Sequence, residues 1–178
     1  LVALKVVDTG YPLRGSLRVA PAPETPGQTT RDIPAKGEAW VDAPLLDALG
    51  LKMGDALLLG DSALKIARII VTEPDRGGGF MSFAPRVMIN QADIQATGLV
   101  QPASRLNYRF AVAGNDRQVR AFNQWADAQI KRAEVRGVRL ESLESGRPEM
   151  RQTLDRAEKF LNLVALLAAL LSAVAVAL

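Results

Sequence analysis

The last nineteen residues of the chain, Phe160 to Leu178 (FLNLVALLAALLSAVAVAL), carry no charged side chain, and Asn162 and Ser172 are their only polar ones. A helix needs about 20 apolar residues to cross a ~30 Å hydrocarbon layer, and core helices of water-soluble domains seldom run so long uncharged. The run is apolar all round rather than along one stripe, so a domain in water would leave one side of it wet. Its C-terminal position excludes a secretory leader. Charged helical sequence stands where a cleaved lipid-anchor signal needs small residues and a polar spacer. A transmembrane helix over 160–178, in contact with membrane lipid, is therefore expected.

Helical sequence begins well before that run. Pro148 suits a first helical turn, Ser145 and Gly146 suit the cap before it, and Met150, Leu154, Ala157 and Leu161 recur along one face. Neither Gly nor Pro interrupts the sequence from there to Leu178. At ~1.5 Å per residue the helix would reach roughly 45 Å, so residues 147–159 are expected to stand clear of the bilayer as a stalk. A stalk either connects or transmits motion, and for the second role Met150, Leu154, Ala157 and Leu161 are the candidate coupling residues.

All 22 Lys and Arg and all 19 Asp and Glu precede Phe160. The two signs are spread evenly, which excludes the basic stripe of a nucleic-acid interface. Without Cys or His, the chain has no disulfide, thiol nucleophile, ordinary zinc site or imidazole base. No catalytic residue, metal ligand or cofactor is expected. An anchored enzyme using carboxylates such as Asp8 or Asp75 ranks lowest, because acid–base chemistry requires a paired constellation with shifted pKa values.

Local signals divide the remainder. Leu1 to Asp8 reads as a strand, Thr9-Gly10 as a turn and Gly15 to Ala20 as a second extended piece; Pro21 to Gly37, rich in Pro, Gly and Thr, reads as a loop. Glu38 to Asp42 is a short strand, and Ala43 to Leu49 a short helix closed by Gly50. Two strands, Ala56 to Leu59 and Ala63 to Glu73, flank Gly60-Asp61, a strong hairpin signal. Gly77-Gly78-Gly79 lacks phosphate-loop spacing and reads as a loop tip. Its neighbours Phe80, Met81 and Phe83 fold into the core or, if exposed, touch lipid, a partner or a hydrophobic cargo. Pro85 to Asn90 is a strand, Gln91 to Ala96 a helical turn before Gly98, and Leu106 to Ala113 an alternating strand. Asn115 or Asp116 caps a helix whose stripe is Val119, Phe122, Trp125 or Ala126, Ile130 and Ala133, with Phe122 and Trp125 read as core. Val138 to Leu143 reads as a returning strand, which completes a βαβ outline.

Five segments in this order resemble a known family: VDTGYPLRGSLRV (Val7 to Val19), GEAWVDAPLLDALGLKMGDALLLGD (Gly37 to Asp61), EPDRGGGF (Glu73 to Phe80), FAPRVMINQADIQATGLVQPASRLNYRF (Phe83 to Phe110) and RPEMRQTLDRAEKFLNLVALLA (Arg147 to Ala168). They resemble the FtsX-like permeases of ABC transporters, in particular the YbbP-like branch. The resemblance implies an α+β fold: a mixed two-lobed extracytoplasmic domain of the MacB type over 1–146, with a βαβ-type lobe and a β-rich lobe over about 37–102. The stalk helix (147–159) and the start of a second transmembrane helix (160–178) follow. It further implies a multi-pass protein of the bacterial inner membrane with residues 1–159 on the periplasmic side. Its partners would be a LolD-type cytoplasmic ATPase, membrane lipid and a periplasmic esterase. The implied work is mechanotransmission, in which hydrolysis on the separate ATPase moves the extracytoplasmic domain to export or extract lipids or hydrophobic compounds. In that reading the fragment lacks strands that complete its sheet. Asp8, Tyr11, Pro12, Arg14, Asp75, Arg76 and Arg86 lie in the most distinctive segments, where turns and structural ion pairs account for them. The alternative is a single-pass anchored binding module without an ATPase.

Overall fold

The Gly60-Asp61 pair closes a hairpin in the computed structural model, which describes residues 2–76, 84–132, 134–142 and 156–169. Strand β5 (Ala56–Leu59) pairs antiparallel with the long β6 (Ser62–Thr72), Leu59 facing Ser62 across the turn. Gly60 is obligatory for two reasons. Its φ is +59°, and a β-carbon there would lie 2.0 Å from the Thr97 carbonyl oxygen. That carbonyl also accepts from Asp61 N at 2.9 Å, which locks the hairpin tip to the chain at Thr97.

Five further strands join these two: β1 (Ala3–Val7), β2 (Leu17–Ala20), β3 (Gln28–Thr30), β4 (Glu38–Val41) and β7 (Arg86–Asn90). Their order is β1-β7-β4-β6-β2-β3, with β5 also on β6. The sheet is mixed: β1 runs parallel to β7 and β4 parallel to β6, and the remaining pairs are antiparallel. Strand β3 lies inside the stretch expected to be loop throughout. Its sequence, Gln-Thr-Thr, has no buried face, and it forms because β2 offers a free ladder beside it.

Two helical pieces cover one face of the sheet. Helix α1 (Ala43–Leu49) starts with Pro at its first turn and stops at Gly50, whose φ is +64°. Helix α2 (Gln91–Ile94) is capped by the Asn90 side chain and runs through a 3₁₀ turn (Gln95–Thr97) to Gly98. Strand alternation sends Ala39, Val41, Val87 and Ile89 to this face, against Leu45, Leu46 and Ile94. Trp40, Met88, Ile70, Leu17, Val19 and Val7 form a second core on the opposite face, joined by Tyr11, Ile33 and Ala67. These elements constitute one compact unit, Leu1–Val112.

The second compact unit is Ala113–Leu178. Helix α3 (Asp116–Ile130) opens with a capping box: Asn115 accepts from Gln118 N, and the Gln118 side chain accepts from Asn115 N. Of its expected stripe, Ala126 is buried and Val119 and Phe122 are half-buried, whereas Trp125 is 59% exposed. Trp125 stands one residue off the 119–122–126 line, about 100° round the helix, and its ring centre lies 5.7 Å from that of Phe122. A further helix, α4 (156–169), carries the first part of the apolar run, and its described side chains are exposed.

Two expected strands are not strands here. Residues 106–112 and 138–142 have no ladder partner among the described residues. Alternation marks a segment as two-faced, but strand formation also requires a neighbouring edge to accept its backbone hydrogen bonds. Leu106, Tyr108, Phe110 and Val112 are accordingly 44%, 86%, 87% and 44% exposed. The mixed α+β character holds. Among the described residues no helix is long and apolar enough to cross a membrane, and 170–178 lie outside them.

Candidate functional site

A row of register partners crosses the second face of the sheet: Lys5 opposite Met88, Met88 opposite Trp40, Trp40 opposite Arg68. At one end the Arg68 guanidinium lies 5.6 Å from the Trp40 ring centre. At the other, strand alternation places Lys5 on the same face as buried Val7, where an ammonium needs a counter-charge. It finds two at the exit of β6. Lys5 Nζ is 2.5 Å from Glu73 Oε1 and 2.7 Å from Asp75 Oδ1.

Tyr11 completes this corner. Its Oη accepts from Lys5 Nζ at 2.9 Å and donates to Asp75 Oδ1 at 2.5 Å, and the ammonium lies 4.3 Å from the ring centre. The turn that brings it there has Tyr11 N donating to Asp8 O at 3.2 Å, Thr9 N donating to Asp8 Oδ1 at 2.7 Å, and a cis bond between Tyr11 and Pro12. Burial and the carboxylates of Asp75 and Glu73 push the Tyr11 phenol well above its usual range. Burial alone would raise Asp75, but the hydrogen bonds from Lys5 and Tyr11 prevail and hold its carboxyl below the usual range.

A second layer lies deeper. The Glu73 side chain is fully buried and accepts from Arg86 Nε at 2.9 Å. Asp42 stands at the cap position of α1, yet its carboxylate caps nothing. It accepts instead from Arg76 Nη1 and Nη2, at 3.1 and 2.6 Å, and from Arg86 N at 2.9 Å. This fork-on-carboxylate geometry raises the Arg76 pKa further. Three cations and three carboxylates thus fasten β1, the start of α1, the exit of β6 and the start of β7 at one corner. Each carboxylate has a cationic partner, so the arrangement suits fastening rather than proton transfer.

Of the residues singled out in the sequence, the structure brings together Tyr11, Asp75, Arg76 and Arg86. Asp8 and Pro12 shape the turn beside them, and Arg14 is exposed. Lys5, Asp42 and Glu73 were not legible as members. A lysine between two apolar strand neighbours is the one local signal that marks Lys5. The lipid- or partner-contact candidates Phe80, Met81 and Phe83 lie outside the described residues, as do Met150 and Leu154 of the stalk. Ala157 and Leu161 lie on α4, both exposed. Among the described residues no cluster of His, Cys, Asp or Glu could hold a metal ion.

No protein-family model matches the chain. Over 177 residues, 99% of its length, the sequence is 36% identical to the "Uncharacterized ABC transporter permease YbbP" of Escherichia coli (strain K12). The chain is related to an ABC transporter permease. The match covers 20% of that permease, so the relationship holds at the level of one segment. The Tyr11, Asp75, Arg76 and Arg86 corner falls inside the matched stretch, as does α4.

Proposed function

We propose that this chain is the extracytoplasmic domain, stalk and first part of the second transmembrane helix of a permease subunit in an ABC transporter. In this reading a separate LolD-type cytoplasmic ATPase hydrolyses ATP, and the permease converts that work into movement of the extracytoplasmic domain, which exports or extracts lipids or other hydrophobic compounds. The chain itself performs no chemistry. The observation that carries the reading is the 36% identity to a permease along 99% of the chain.

The physical character of α4 supports it. Phe160, Leu161, Leu163, Val164, Leu166 and Leu167 are 45–64% exposed, and at ~100° per residue they spread over roughly 220° of the helix circumference. Apolar surface of that kind is stable against lipid or a protein partner rather than water. The division into domain (1–146), stalk (147–159) and membrane helix (160–178) belongs to the same proposal, with 1–159 on the periplasmic side of the inner membrane. So do contact of Phe80, Met81 and Phe83 with lipid, cargo or a periplasmic esterase, and coupling through Met150, Leu154, Ala157 and Leu161. Residues 106–112, which have no ladder partner among the described residues, fit a sheet completed by strands from elsewhere in a longer polypeptide.

Cysteine accessibility tests the orientation. Asp47→Cys places one thiol on the exposed side of α1 in a chain that has no other. In a full-length protein otherwise free of cysteine, intact spheroplasts should label this site with a membrane-impermeant maleimide. Labelling only after lysis would place the domain on the cytoplasmic side and end the proposal.

A further inference from the structure

The ion network at the β1 corner has two tiers that differ in burial and in what they hold. The inner tier joins Glu73 to Arg86 and Asp42 to the Arg86 backbone, and the Glu73 and Arg86 side chains are 0% and 13% exposed. The outer tier joins Lys5 to Asp75, whose side chains are 20% and 48% exposed, with Tyr11 bridging them, and Lys5 also reaches inward to Glu73 Oε1 at 2.5 Å, so it is the one cation shared by both tiers.

Among the described residues, strand β1 lies at the edge of the sheet and has β7 as its one ladder neighbour, in a parallel pairing of five residues from Ala3–Arg86 to Val7–Asn90. Parallel ladders are slightly the weaker kind. The charged partners of Lys5 sit on the exit of β6 rather than on β7, so its ion pairs add a fastening that the ladder does not supply. If β1 leaves, Glu73 keeps Arg86 at 2.9 Å, Asp75 keeps Tyr11, and Asp42 keeps Arg76 and Arg86 N. No carboxylate is then buried without a partner, so the usual heavy penalty for breaking an ion network is absent.

We propose that the Lys5–Asp75–Tyr11 tier is a salt-sensitive latch on the edge strand β1, which releases β1 while the inner tier keeps the rest of the sheet closed. Opening is graded by ionic strength, because the outer charges are in partial contact with solvent and are screened over ~10 Å at 0.1 M salt and ~3 Å at 1 M. Release of the latch frees β1 and leaves β4, β6 and β7 joined.

Hydrogen exchange of the whole chain in mild detergent, followed peptide by peptide, tests this. Between 0.05 and 1 M NaCl the amides of 3–7 should exchange several-fold faster, while those of 38–41 and 64–70 keep their rates. Lys5→Gln should reproduce the acceleration at low salt and abolish its salt dependence, and Lys5→Arg should restore both. Equal acceleration across the sheet, or unchanged exchange at 3–7 in salt, would overturn the proposal. The salt series on the unaltered protein decides the matter even if Lys5→Gln fails to fold.

Discussion

Glu73 and Arg86, thirteen residues apart, meet in an ion pair with Nε 2.9 Å from Oε2 and the carboxylate fully out of water. The pair closes the two ends of the segment between β6 and β7 against each other. Removing its cation leaves Lys5 as the remaining counter-charge of a buried carboxylate. Arg86→Met is therefore expected to destabilise the first unit by about 2–3 kcal/mol, the range of a lost hydrogen bond to a charged group. The exposed pair Lys131–Asp127 is the control, and Lys131→Ala should change stability by less than about 0.5 kcal/mol. Denaturant midpoints of the two variants check both values.

The phenol of Tyr11 is held protonated by burial and by two carboxylates, so its folded pKa exceeds its unfolded value near 10. A group raised in the folded state stabilises fully below the unfolded pKa, and that contribution is lost as pH climbs above it. Stability should fall from about pH 10 upward. Tyr11→Phe should flatten that fall, as melting temperatures between pH 8 and 11 would register.

Asp75 behaves in the opposite sense. Its folded pKa is depressed, so its contribution is present above the ordinary carboxylate value and disappears as pH drops through the folded one. In Asp75→Asn the loss of stability on acidification below about pH 4 should shrink relative to the unaltered chain. Acid titration followed by near-ultraviolet circular dichroism measures the difference.

Gly60→Ala should destabilise by about 1–3 kcal/mol, the usual cost of forcing extra volume into a packed site. The new carbon would meet the Thr97 carbonyl oxygen, which is backbone and has little room to yield. Gly50→Ala has nothing within 4 Å of the added carbon and should cost about 1–2 kcal/mol from its left-handed backbone, a cost that Gly60→Ala carries in addition to its clash. The contrast between the two, read from urea midpoints, separates contact from conformation.

Much of this fold is written in short-range chemistry. Gly50, Gly60-Asp61, Gly98 and Asn115 each ended or started an element where the sequence placed it, because caps and tight turns depend on residues within four positions. Strand pairing does not. Residues 106–112 alternate as well as β1 does, but no edge receives them among the described residues, and β3 forms from Gln-Thr-Thr because one does. The ion corner was half legible for the same reason. Tyr11, Asp75, Arg76 and Arg86 lie in distinctive turns and strand ends, whereas Lys5 becomes a partner of Glu73 only through tertiary packing that brings together positions 68 residues apart.

The claim of permease function is tested most directly by purifying the full-length protein from membranes in mild detergent, identifying what accompanies it by mass spectrometry, and assaying the complex for ATP hydrolysis. Co-purification of a LolD-type ATPase with vanadate-sensitive turnover is the predicted result. A monodisperse, folded preparation that carries no ATPase and hydrolyses no ATP would contradict the account.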